Sequence, residues 1–219
     1  MDGTLCAAGA PIGPRAAEII QRFNARRQPV GVITAQAQDY LLEHGGDIFG
    51  TRITEKSHRI VHAGSEHIPR QPLDTSVQLA STIAFLNQLG IPYGINRKET
   101  GFAVNMLGAP ASYQLVENFM RTLLTQGYVV DATAGFIDFG DAAFNKQTGL
   151  LDALRIAGLE NFKIIVAGNG STDVPIFTRA DMAIGVNRME ASVDVRVSSH
   201  DHVLDILEYW LHCLEAVEN

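Results

Sequence analysis

Apolar residues recur along the chain in two rhythms. In 14–27 (PRAAEIIQRFNARR), Ala17, Ile20, Phe23 and Asn24 fall close to one helical stripe, and Pro14 suits a first turn, so a helix is predicted there. The run QPVGVITA is short, apolar and rich in β-branched residues, the pattern of a buried parallel strand. QAQDYLLEH reads as a helix closed by Gly45 and Gly46. TRITEKSHRIVHAG alternates and reads as extended chain that can fold back as a hairpin.

Pro69 and Pro72 then bracket a linker, and the rhythm changes. A helix over 75–89, ending at Gly90, precedes the strands YGINR and GFAVNML, which turn at Gly101. A helix over 111–126, ending at Gly127, precedes YVVDA and GFIDFG, which turn at Ala134 and Gly135. Helix–strand–strand therefore occurs twice, a weak internal repeat. After Gly140 the βα alternation resumes. KQTGLLDALRIAG is a helix stopped by Gly158, FKIIVAG and DMAIGV are strands, SVDVRVSS is a further strand, and HVLDILEYWLHCLEAVE is a closing helix. The fold class read from this order is α/β. A parallel core over 1–68 and 142–219 carries an inserted α+β module at 69–141.

Composition narrows the function. The 219 residues are 46% hydrophobic and carry a net charge of −7, which suits a folded domain and disfavours nucleic acid as a partner. Cys6 and Cys213 are too few for a disulfide framework. No apolar run has the length of a membrane span, and the first residues lack a basic segment followed by an apolar one. A cytoplasmic location with no membrane partner is expected. The C-terminal helix, with Trp210 on its apolar stripe, reads as core packing or as a dimer surface, so monomer and homodimer both stay open.

Four short stretches stand at the C-terminal ends of core strands, where open parallel sheets bind ligands. They are MDGT (1–4), VITA (32–35), NKQTG (145–149) and VAGNGSTD (166–173). Each alone is ordinary loop chemistry. Together, in this order, they resemble the motifs of the haloacid dehalogenase-like (HAD) superfamily of phosphatases. The subclass with an α+β cap (IIB) fits best, with its Cof-like, sucrose-phosphate phosphatase and archaeal-type phosphoglycolate phosphatase members. The family's first motif, Asp-x-Asp-Gly-Thr, is matched from the x onward by Met1, Asp2, Gly3 and Thr4. Thr34 matches the second motif, Lys146 the third, and Gly168 to Asp173 the fourth.

The resemblance implies a Rossmann-like core and a cap. It implies hydrolysis of a small phosphorylated metabolite, phosphoglycolate or a sugar phosphate, through an aspartyl-phosphate with Mg²⁺. Residue by residue it implies Asp2 as general acid and base, Lys146 as a catalytic cation, and Gly3, Thr34 and Lys146 as phosphate ligands. Asn169 and Asp173 fall at the metal. The chemistry agrees with that assignment. A carboxylate nucleophile attacking an anionic ester needs a cation to offset repulsion, an acid for the leaving oxygen and donors for the phosphoryl oxygens.

Two departures follow. The family's nucleophile is the residue before Met1, and the strand that presents it is missing with it. The expectation is that the natural chain starts upstream. The alternative is a relative that lost its nucleophile and only binds phosphate. The second departure is Asn169, where the family usually has Asp; an amide oxygen brings no charge, so millimolar Mg²⁺ is expected.

In the cap, Arg97 and Lys98 are candidates for a second anionic group on the substrate, although RKETG is also good turn chemistry. His58, His62 and His67 would not share one strand face and read as surface histidines. Cys6 reads as a small core or loop residue. A Rossmann-type nucleotide binder is disfavoured, because neither GAPIGP nor GNGSTD gives Gly-x-Gly-x-x-Gly after a strand.

Overall fold

Helix α1 (Pro14–Ala25) starts on Pro14, whose fixed φ fits a first turn. The computed structural model describes all residues except Asp2, Ala8, Ala134, Met189, Glu190, Ala191 and Asn219, and the side chains of Val217 and Glu218. The helix buries Ala16, Ile19 and Ile20, so its inner stripe is rotated from the predicted Ala17, Ile20, Phe23, Asn24 line. The reason is that α1 has two neighbours. Ala16 and Ile19 pack with Leu204 and Leu211, whereas Ile20 packs with Val32, Leu41 and Phe49.

Strand β1 (Gly31–Ile33) leads to helix α2 (Gln38–Glu43) and pairs in parallel with β2 (Thr51–Thr54). Strands β3 (Arg59–His62) and β4 (Ser65–His67) continue this sheet antiparallel, in the order β1-β2-β3-β4. The β2–β3 turn is buried: Thr54, Glu55, Ser57 and His58 are all below a tenth exposed. His58 is therefore not a surface histidine. The helix described below as α5 lies against this turn, and a Cβ placed on Gly149 of that helix would sit 2.4 Å from the Lys56 carbonyl oxygen.

The middle of the chain contains α3 (Ser76–Leu89), β5 (Gly94–Lys98), β6 (Gly101–Asn105), α4 (Tyr113–Thr122), β7 (Tyr128–Thr133) and β8 (Phe136–Asp141). Its strands form an antiparallel sheet in the order β5-β6-β8-β7. Phe102 and Val104 of β6 point to the helices and join Leu86, Val116, Met120, Val130, Ile137 and Phe139 in one core. Gly101 is required where it stands, because a Cβ there would lie 2.0 Å from the Phe139 carbonyl oxygen. Helix α4 is shorter than its predicted 111–126. Leu123 and Leu124 leave the helix to pack on this core, and a turn in which Tyr128 N–H donates to Thr125 O reaches β7.

The chain closes with α5 (Lys146–Ala157), β9 (Ile165–Gly168), α6 (Val174–Phe177), β10 (Met182–Val186), β11 (Val195–Val197) and α7 (His200–Glu218). Gly158 stops α5 at φ 67° in the left-handed region, as its type predicts. These strands form a parallel sheet in the order β11-β10-β9. The chain thus divides into two compact units, Met1–Pro69 with Asn145–Asn219, and Arg70–Phe144.

In the first unit the parallel strands are shared between two sheets, with β1 outermost in one and β9 outermost in the other. Leu5 packs against three clusters: one with Val32 of β1, one with Ile184 and Val186 of β10, and one with Ile19 and Leu204 of the helices. The turn at the start of the chain therefore ties both sheets into one core. Among the described residues no helix is long and apolar enough to cross a membrane.

Candidate functional site

The segment after β1, the loop after β9, the first turn of α5 and the turn over 3–6 carry the described candidate site residues. Thr34 follows β1 directly. Its N–H donates to Ile53 O at 2.9 Å and its carbonyl accepts from Lys56 N–H at 2.8 Å. Its Oγ1 accepts from Gln36 N–H at 3.1 Å, and a hydroxyl that accepts retains its hydrogen to donate. Thr34 is 9% exposed, so that hydrogen is presented from a nearly closed surface.

Lys146 is the first residue of α5. The helix start is fixed by a reciprocal cap: Asn145 Oδ1 accepts from Thr148 N–H at 3.0 Å, while Thr148 Oγ1 accepts from Asn145 N–H at 3.3 Å. The unpaired N–H groups of a helix's first turn favour an anion nearby. Lys146 Nζ donates to Asp173 Oδ1 at 2.5 Å, with the two side chains 12% and 6% exposed. Asp173 Oδ2 accepts from Asn169 N–H at 2.9 Å and from Gly170 N–H at 2.8 Å, which closes the loop after β9. Burial pushes the Asp173 carboxyl up. The Lys146 charge and the three hydrogen bonds outweigh it and hold the group below the ordinary carboxylate value. Gly168 makes room for this carboxylate, since a Cβ there would lie 2.7 Å from Asp173 Oδ2.

The turn over 3–6 meets the same loop. Gly3 has φ 70°, and a Cβ on it would sit 2.1 Å from Asn169 Nδ2. Thr4 Oγ1 donates to Asn169 Oδ1 at 3.4 Å. Sequence reasoning expects the Gly3 amide to serve phosphate; here Gly3 N–H donates to Cys6 O at 2.7 Å, within the turn. Asp2 lies outside the described residues.

Arg97 and Lys98 belong to the second unit. As neighbours on β5 they point to opposite faces of its sheet. Arg97 is in register with Phe102, on the face that carries the core, and is exposed. Lys98 is in register with Gly101, on the other face, where its ammonium is paired with Asp138.

Among the described residues no cluster of three or more His, Cys, Asp or Glu side chains could hold a metal ion. The oxygens at the site are Asp173 Oδ1 and Asn169 Oδ1. Hard oxygen donors in small number suit Mg²⁺, which keeps several waters and takes one or two protein carboxylates. Asp173 and Asn169 supply donor types that such an ion takes, with one charge rather than two, while Asp173 Oδ1 already accepts from Lys146.

Sequence reasoning passes over the β2–β3 turn. Glu55 and Lys56 occupy it with φ 47° and 67°, the left-handed region that favours glycine. Ser57 Oγ lies 3.2 Å from Thr148 Oγ1. Nothing in TEKSH marks these contacts, because they depend on where α5 lands.

No family model matches the chain, and no curated protein does. Solved structures do. A protein of Streptococcus mutans UA159 matches with a TM-score of 0.75 at 16% identity, over 97% of both chains. The C-terminal domain of trehalose-6-phosphate phosphatase from C. albicans matches at 0.79 and 14% identity, over 96% of this chain and 89% of that one. A haloacid dehalogenase-like hydrolase from Bacteroides thetaiotaomicron matches at 0.78 and 13% identity, over 95% and 96%. The chain has the haloacid dehalogenase-like fold.

Proposed function

We propose that this protein is a phosphoric monoester hydrolase acting on a small phosphorylated metabolite with Mg²⁺. The observation that carries the reading is the Lys146–Asp173 pair at the first turn of α5, on a fold whose solved examples include phosphatases. Lys146 and the Thr34 hydroxyl would bind the phosphoryl oxygens and stabilise the charge that grows on them. Asp173 and Asn169 would hold Mg²⁺, which when bound offsets repulsion between a carboxylate and a phosphate ester.

Asp2 would give a proton to the leaving oxygen and later take one from water. The reading also calls for a carboxylate nucleophile that becomes an aspartyl-phosphate, a role assigned to none of the site residues above.

Phosphoglycolate and sugar phosphates are the substrate classes proposed; the likeness to a trehalose-6-phosphate phosphatase favours the sugar phosphates. A second anionic group on the substrate would be met by Arg97 or by Lys98, not by both, since they face opposite ways. A cytoplasmic location is part of the same proposal. The second reading is a phosphate-binding relative without catalysis. It is favoured by the Asn at 169 and by an Asp173 whose two oxygens are already bonded within the protein.

The test is phosphate release from a generic aryl phosphate, phosphoglycolate and a panel of sugar phosphates, with and without Mg²⁺. Release that needs Mg²⁺ and is lost in Lys146→Ala supports the enzyme. Orthophosphate binding without release supports the second reading. Neither binding nor release overturns both.

A further inference from the structure

We propose that Ser57 is a positioning residue of the phosphate site, setting Lys146 relative to Thr34; this rests on the phosphatase reading above. Thr34 follows a strand and Lys146 starts a helix more than a hundred residues later. Two groups on separate elements can grip one phosphoryl group only if something fixes the span between them. The β2–β3 turn does so. On one side, Lys56 N–H donates to Thr34 O at 2.8 Å and Glu55 N–H to Gln36 O at 3.0 Å, so the turn is fastened to the segment carrying Thr34.

On the other side the turn meets α5. Thr148 Oγ1 donates its hydrogen to Asn145 O at 2.9 Å, so the 3.2 Å contact with Ser57 is a bond that Ser57 donates. That bond ends on the residue whose side chain caps the helix start, two positions from Lys146. Ser57 has no exposed surface, so water cannot replace the bond. At Gly149 the two backbones touch without space for a methyl group.

The turn also carries strain. Glu55 and Lys56 hold positive φ without being glycine. Such residues persist where the surroundings over-determine them, and they concentrate at functional sites. Here the surroundings are the two elements that the turn joins.

The experiment is calorimetric titration of orthophosphate into the full chain and into Ser57→Ala, Lys146→Ala and the double variant, with an unfolding midpoint for each. Ser57→Ala is expected to weaken orthophosphate about tenfold while folded, and to weaken it no further once Lys146 is gone, as coupled residues do. If Ser57→Ala does not fold, Thr148→Val cuts the same bond from the helix side and enters the same cycle. Unchanged affinity in Ser57→Ala, or an equal loss with and without Lys146, overturns the proposal and leaves the phosphatase reading standing. Equal affinity in the parent chain and Lys146→Ala overturns that reading, and this proposal with it.

Discussion

Lys146 and Asp173 form a buried ion pair whose carboxylate spends both oxygens inside the protein, one on the ammonium at 2.5 Å and one on two backbone N–H groups. Removing one member of such a pair leaves a charge in a poorly solvated place. Lys146→Ala is expected to lower unfolding free energy by about 3 kcal/mol, the lower end for a broken buried pair, because Asp173 retains its two N–H donors. Urea unfolding of the variant measures it.

The same carboxylate gives the protein an acid-sensitive component of stability. Its folded value lies below its unfolded one, near 3.9, so the unfolded chain binds the proton more readily. The contribution is full above roughly pH 5 and fades as pH falls through the unfolded and then the folded value. Stability measured between pH 6 and 2 is expected to fall more steeply for the parent chain than for Asp173→Asn (both pH limits are about where carboxylates begin and finish titrating).

On the phosphatase reading, Asn169 would offer Mg²⁺ an amide where a second carboxylate would serve the cation better. Asn169→Asp is expected to tighten Mg²⁺ by about tenfold, roughly 1.4 kcal/mol, by adding one charge to the proposed donor set. Titration of Mg²⁺ followed by calorimetry reads this without any turnover. The variant also brings a carboxylate oxygen to Thr4 Oγ1, which can still donate to it.

In the second unit, Arg97 and Lys98 are adjacent in sequence and unlike in surroundings. Lys98→Met is expected to cost about 2 kcal/mol, between an exposed and a fully buried pair, since Lys98 is 8% and Asp138 22% exposed. Arg97→Ala, at an exposed position, is expected to change stability by less than about 0.5 kcal/mol. Thermal unfolding of the two variants side by side separates them.

Part of this fold is legible in the sequence, for identifiable reasons. Pro14, Gly90 and Gly158 announce helix ends because their backbone preferences are local. Thr34, Lys146 and Asp173 stand out as candidates in the sequence because each lies at a strand or helix end whose periodicity is plain. The pairing of Lys146 with Asp173 could not be read, since it joins residues from different elements and depends on how α5 sits against β9. The burial of His58 departs from its expected surface position for a related reason. Alternation in TRITEKSHRIVHAG assigns faces to a strand, yet the turn inside it lies under a helix that begins almost a hundred residues later. Lys98 resembled part of a solvated turn, and the register of β5 with β6 places it in a pair instead.

The two turns flanking β3 share positive φ values and have opposite tolerance for added chain. Ala63 and Gly64 hold φ 48° and 81°, are exposed, and a Cβ on Gly64 would meet nothing within 4 Å. Glu55 and Lys56 hold φ 47° and 67° with α5 pressed on them. A peptide tag, a protease site or a circular-permutation opening therefore belongs between residues 63 and 64. The same insertion between 55 and 56 would pry a helix from its sheet.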